Sequence, residues 1–216
     1  VEVIKSILLI ISIDLALGGD NAIVIALASR NLPYHQRTKA IMFGAGLAIF
    51  VRIMLTGLAV YLLRIPYLKL IGGALLIYIA LKLIIDEDDS KDIKAKYTLA
   101  AAIQTIVYAD IIMGFDNVLA IAMASKGDII LVVIGLLFSV PIIIWGSKII
   151  LYWMDKYPIL PYIGASILAF TAGKTIVSEE KLSIFFESYY IFQYAIPLTS
   201  VLIVFLLAGL KTRAKW

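Results

Sequence analysis

Apolar residues run along this chain in long blocks, interrupted by short charged connections and by a few isolated acids inside the blocks. A helix needs about 20 residues to cross about 30 Å of hydrocarbon. Blocks of that length predict seven transmembrane helices at 3–29, 40–63, 67–85, 98–125, 129–150, 159–177 and 190–210. Pro66 and Pro158 stand at span starts, where a missing N–H costs little. Apart from Asp86–Tyr97 and Ser178–Tyr189 the connections are short, which predicts one all-α membrane domain over 1–216. The first block continues well past the length of a signal peptide, so it reads as a retained span.

The blocks repeat. Asp14–Ser29, "DLALGGDNAIVIALAS", laid over Asp110–Ser125, "DIIMGFDNVLAIAMAS", gives eight identities in sixteen, including both aspartates and the asparagine of each copy. Further on, "PYLKLIGGALLIYIALK" at Pro66–Lys82 resembles "PILPYIGASILAFTAGK" at Pro158–Lys174. Each copy holds three spans, 3–85 and 98–177, joined by an acidic linker at 86–97. An odd number of spans reverses the second copy, which predicts inverted-topology repeats with a binding site near the midplane at their interface. Helix 190–210 is then an addition outside the repeat.

The polar positions within the repeat carry the chemistry. A helix over 3–29 would be roughly 40 Å long at about 1.5 Å per residue, so it is expected to tilt or break. Gly18-Gly19 marks the weak point, and Gly114 the matching one in the second copy. Asp14, Gly18 and Asn21 share one helical face, whereas Asp20 points away unless a kink turns it inward. Carboxylates at membrane depth cost a few kcal/mol each and are functional candidates by default. Protonation, or pairing with Arg52 or a lysine as interhelical glue, is the bland alternative. One mid-span cation, Arg52, does not neutralise four acids, and a bound cation answers the charge problem better.

Composition narrows that cation. The chain is 62% hydrophobic, with mean hydropathy +1.01, the profile of a polytopic membrane protein. It has no cysteine and one histidine, His35, in a predicted loop, which disfavours zinc and copper. Carboxylate, amide and carbonyl oxygens suit Mn²⁺, Mg²⁺ or Ca²⁺. The net charge of +4 fits lysines and arginines in membrane-flanking loops and implies no nucleic acid. These cations divide twelve to six between the two faces, which predicts an outside N-terminus and a cytoplasmic C-terminus. No G-x-x-x-x-G-K-[ST] occurs, so ATP hydrolysis by this chain is not expected, nor is an organic cofactor.

The pair "GGDNAIVIALA" and "GFDNVLAIAMAS", in a chain of this size with seven predicted spans, resembles the TerC family and within it the small bacterial metal exporters. The resemblance covers nearly the whole chain and rests on the doubled D-x3-G-x-D-N motif. By name the family is associated with tellurium resistance, several bacterial members with manganese efflux, and it groups with LysE-type exporters of inverted repeats. It implies export of a divalent metal, Mn²⁺ foremost, at Asp14, Asp20, Asn21, Asp110, Asp116 and Asn117. Phe115 stands where the first copy has Gly19, so the half-sites need not be equivalent.

Other features stay open at this level. "DEDDSKD" at Asp86–Asp92 reads as a solvated linker or as a gatherer of cations. Arg52 is either a counter-charge that replaces the metal in an empty site or a structural or snorkelling residue. Lys82 and Lys174 read as interfacial anchors, and Tyr189, Tyr190, Phe192 and Tyr194 as an aromatic belt. Ser12, Gln104, Thr105 and Tyr108 are candidates for additional oxygen ligands. Competing functions are a membrane partner that supplies metal to secreted proteins, a LysE-like organic solute exporter, and an intramembrane aspartyl protease. The protease lacks support from motif spacing. The expected partners are the metal ion and the lipid bilayer, with secretion machinery or a second copy of the chain left open.

Overall fold

The structure, a computed structural model, describes residues 2–58, 65–88 and 98–213. The first predicted span is two helices, α1 (Glu2–Leu17) and α2 (Gly19–Arg30), meeting at 53°. There follow α3 (Tyr34–Gly57), α4 (Leu68–Asp88), α5 (Leu99–Ala124), α6 (Ile129–Lys156), α7 (Leu160–Val177), the short α8 (Ser183–Ser188) and α9 (Ile191–Arg213). Among the described residues, five helices are long and apolar enough to cross a membrane, or seven if each bent pair is one span.

Several boundaries move, for local reasons. The second helix starts at Tyr34 rather than 40, because Pro33, at φ −54°, launches a polar first turn that hydropathy alone assigns to a loop. The fifth runs on from 150 to Lys156, since its last turns remain amphipathic, with Leu151 and Met154 buried and Tyr152 and Trp153 exposed. The connection 178–189 is not bare loop: it folds as a 3-10 turn at Glu180–Leu182 followed by α8. Glu179, buried there, accepts the backbone N–H groups of Tyr67 at 3.0 Å and Lys69 at 3.1 Å. It thereby satisfies donors at the start of α4. Arg64 and the acidic run beyond Asp88 lie outside the described residues.

Packing ties the two copies together reciprocally. The α1–α2 pair lies against α6, while α5, which carries the second motif, lies against α3. The third helices, α4 and α7, pack on each other, and α9 covers both. Ile10 and Ile106 occupy equivalent positions in the two motifs, and each inserts against a glycine of the other copy. A methyl group at Gly135 would stand 2.5 Å from Ile10 Cγ2, and one at Gly44 would stand 2.6 Å from Ile106 Cδ1. Small residues at such crossings let helix backbones approach closely, the main source of cohesion between helices in lipid.

Candidate functional site

The motif helices break and kink differently. At Gly18 the hydrogen-bond ladder is interrupted: Gly18 N–H still reaches Asp14 O at 2.7 Å, and bonding resumes with Ala22 N–H to Gly18 O at 3.4 Å. The carbonyls of Leu15, Ala16 and Leu17 are released between them. A Cβ at Gly18 would stand 2.4 Å from Asp14 O, so the break requires glycine. The second copy behaves otherwise. α5 remains one helix and bends by 61° between Phe115 and Asn117, so the interruption expected near Gly114 is a kink. One glycine followed by Phe115 weakens the helix less than the Gly18-Gly19 pair does.

These bends place three charged groups at one buried point. α1 supplies Asp14, α5 supplies Asp110, and α3 supplies Arg52, all at most 8% exposed. Arg52 Nη1 donates to Asp14 Oδ1 and Nη2 to Asp110 Oδ1, so a single guanidinium bridges equivalent acids of the two copies. Ser139 on α6 donates to Asp14 Oδ2, and Asn21 Nδ2 donates to Asp110 Oδ1 at 3.0 Å. Buried ions are tolerated only with such partners, and removing one leaves an uncompensated charge.

Asp20 is not turned into that centre. It lines a separate cavity of about 660 Å³ with Asn117, Thr171, Lys174, Thr175 and Gln193, and Thr171 Oγ1 donates to its Oδ2 at 3.3 Å. The six residues singled out from sequence are therefore divided: Asp14, Asp110 and Asn21 around Arg52, Asp20 and Asn117 at the cavity. The side chain of Asp116 lies outside the described residues. Among those described, no three Asp, Glu, His or Cys side chains gather to hold an ion. Asp20 Oδ1, Asn21 Oδ1, Asn117 Nδ2 and Arg52 Nε are buried without a hydrogen-bond partner among them.

The proposed extra oxygens fare unevenly. Gln104 and Tyr108 are exposed on the outer side of α5, and Ser12 is exposed with its hydroxyl on Leu8 O at 2.8 Å. Thr105 is buried but donates to Ala101 O of its own helix at 2.9 Å. Helical spacing explains Ser12 and Tyr108, each of which stands two residues before an acid and so faces away from it. The hydroxyls that do reach the acids, Ser139 and Thr171, come from other helices. A signal for the second existed, since Thr171, Lys174, Thr175 and Ser178 follow the i, i+3, i+4, i+7 pattern of a polar face on α7. Lys174, read as an anchor, lies on the cavity wall.

Residues 1–215 match the family described as integral membrane protein TerC. The chain belongs to the TerC family. It is 50% identical over 201 residues, 93% of this chain and 92% of the relative, to the "Uncharacterized membrane protein YjbE" of Bacillus subtilis (strain 168). The "Uncharacterized membrane protein YceF" of the same organism is 26% identical over 184 residues, covering 79% of this chain and 71% of its own length. A UPF0053 protein of Buchnera aphidicola (subsp. Schizaphis graminum) is 23% identical over 192 residues, 80% of this chain but 37% of that longer protein. No solved structure matches this TerC protein significantly. Family membership and the apolar helices make it a multi-pass membrane protein.

Proposed function

We propose that this TerC protein is a secondary transporter that exports divalent metal ions, Mn²⁺ foremost, through a midplane carboxylate site between two inverted repeats. The observation that carries this reading is the convergence of Asp14 and Asp110, equivalent acids of the two copies, on one buried point beside a cavity lined by a third acid, Asp20. The reciprocal insertion of Ile10 at Gly135 and Ile106 at Gly44 supports the repeat. The cavity is lined both by Val177, Ser178 and Gln193, at helix ends, and by the motif residues Asp20 and Asn117, which supports passage of an ion to the motif.

Oxygen donors select a hard cation, and Asp20 Oδ1 at the cavity and Asn21 Oδ1 beside Asp110 are each buried without a hydrogen-bond partner among the described residues. The excess of lysine and arginine on one face supports an outside N-terminus and a cytoplasmic C-terminus. On that orientation the cavity faces outward, the side of release. No enzymatic role is assigned: an arginine between the two buried acids opposes the shared proton that a hydrolytic carboxyl pair needs.

The test is uptake of Mn²⁺, Ca²⁺, Mg²⁺ and Zn²⁺ by inside-out vesicles, comparing wild type with Asp14→Asn, Asp110→Asn, Asp20→Asn and the Asp14/Asp110 double variant at matched protein levels. Uptake of Mn²⁺ is expected in wild type and a loss of about ten-fold or more in each variant, the size of effect that follows losing one charged ligand. Wild-type rates in the double variant would eliminate the site.

A further inference from the structure

The two copies contribute matching acids but not matching bases. Setting the packing glycines Gly44 and Gly135 as equivalent puts Ile143 opposite Arg52, so the guanidinium belongs to one copy alone. Yet it reaches the equivalent acids of both, at 2% exposure. A residue needed only to brace each half would be repeated with it.

Two further facts separate Arg52 from a fixed brace. A single positive charge against Asp14 and Asp110 leaves the trio negative, whereas one divalent ion in its place makes the pair neutral. Its Nε has no hydrogen-bond partner among the described residues, so the guanidinium is held by the two acids alone, through Nη1 and Nη2. One turn on from Asp110, Gly114 leaves room beside it: among the described residues the nearest atom to a would-be Cβ there is Arg52 Nε, at 3.8 Å.

Resting on the export reading above, we propose that Arg52 is a tethered stand-in for the transported cation: its guanidinium occupies the Asp14–Asp110 pair in the metal-free protein and yields that place to the incoming divalent ion. Metal entry is then an exchange of one cation for another. The empty protein returns across its cycle with each buried acid paired to the guanidinium, and the competing guanidinium keeps metal affinity low enough for release.

The experiment uses the full-length protein, wild type, Arg52→Gln and Arg52→Lys. Mn²⁺ binding is measured by calorimetry in detergent. Net Mn²⁺ efflux and Mn²⁺/Mn²⁺ exchange are measured in proteoliposomes. Removing an internal competitor raises apparent affinity by the factor it had suppressed, so Arg52→Gln is expected to bind Mn²⁺ about ten-fold tighter. It should retain exchange and lose net efflux, because the emptied site has no cation for the return step. Arg52→Lys should restore net efflux. If monodisperse Arg52→Gln binds Mn²⁺ no tighter than wild type, loses exchange together with net efflux, or keeps net efflux, the proposal is overturned. Should Arg52→Gln not fold, Arg52→Lys decides: one ammonium bridges two acids less well, so binding tightens several-fold, and unchanged or weaker binding overturns the proposal. Wild-type protein that neither binds nor carries Mn²⁺ overturns the export reading instead.

Discussion

Asn21 donates its side-chain amide to Asp110 Oδ1 at 3.0 Å, so the asparagine of the first motif serves an acid of the second. The exchange is not returned: the amide nitrogen of Asn117 is buried without a partner among the described residues. Asn21→Ala should therefore cost about 1.5–3 kcal/mol, the range for a hydrogen bond to a charged group, and Asn117→Ala clearly less. Thermal unfolding of the two variants in detergent checks this, and equal losses would contradict the asymmetry.

The reciprocal isoleucine insertions predict a graded packing response. At Gly135 a methyl group would meet Ile10 at the stiff branch, 2.9 Å from Cβ, whereas at Gly44 its nearest atom is the Ile106 end methyl. Gly135→Ala should destabilise by about 1–3 kcal/mol and Gly44→Ala by less. Gly46→Ala, with nothing among the described residues within 4 Å, should be neutral or stabilising by about 0.5–1 kcal/mol from helix propensity. Denaturation midpoints should fall in that order.

Thr171 is the hydroxyl that touches Asp20 in the cavity. Thr171→Val keeps the shape and removes the donor, so transport should lose apparent metal affinity by several-fold, about 1 kcal/mol, with maximal rate largely retained. Ser12→Ala, whose hydroxyl serves its own helix, should leave both unchanged. Concentration dependence of Mn²⁺ uptake separates the two, and matching behaviour would remove Thr171 from the pathway.

Glu179 ties the end of α7 to the start of α4 through two backbone N–H groups. Glu179→Ala strips both donors of their acceptor and should lower stability by about 2 kcal/mol while sparing metal binding to folded protein. A parallel loss of Mn²⁺ affinity in calorimetry on monodisperse variant would instead place this loop in the transport cycle.

What was legible in the sequence is local. A run of about 20 apolar residues means a helix in lipid wherever it lands. Gly18-Gly19 weakens its helix whatever surrounds it, so the break at Gly18 followed from neighbouring residues. The doubled D-x3-G-x-D-N motif singled out six residues, of which Asp14, Asn21, Asp110 and Asn117 are buried. Helix ends at Tyr34 and Lys156 were less legible, because polar or amphipathic turns at a boundary carry no clear hydropathy edge.

Partnership was decided by tertiary structure. Arg52 was visible as one cation inside an apolar span, but whether it faced lipid, water or the acids depends on how α3 lies against α1 and α5. Asp20 and Asn21 are neighbours on α2 and point about 100° apart, and the helices packed there decide what each meets, the cavity for one and Asp110 for the other. Ser139 and Thr171 reach their acids across 125 and 151 residues of chain. Side-chain periodicity records which face of a helix is polar. It holds no information about which distant helix will meet that face, because that meeting is set by close packing at residues such as Gly44 and Gly135, whose own sequence context is merely apolar.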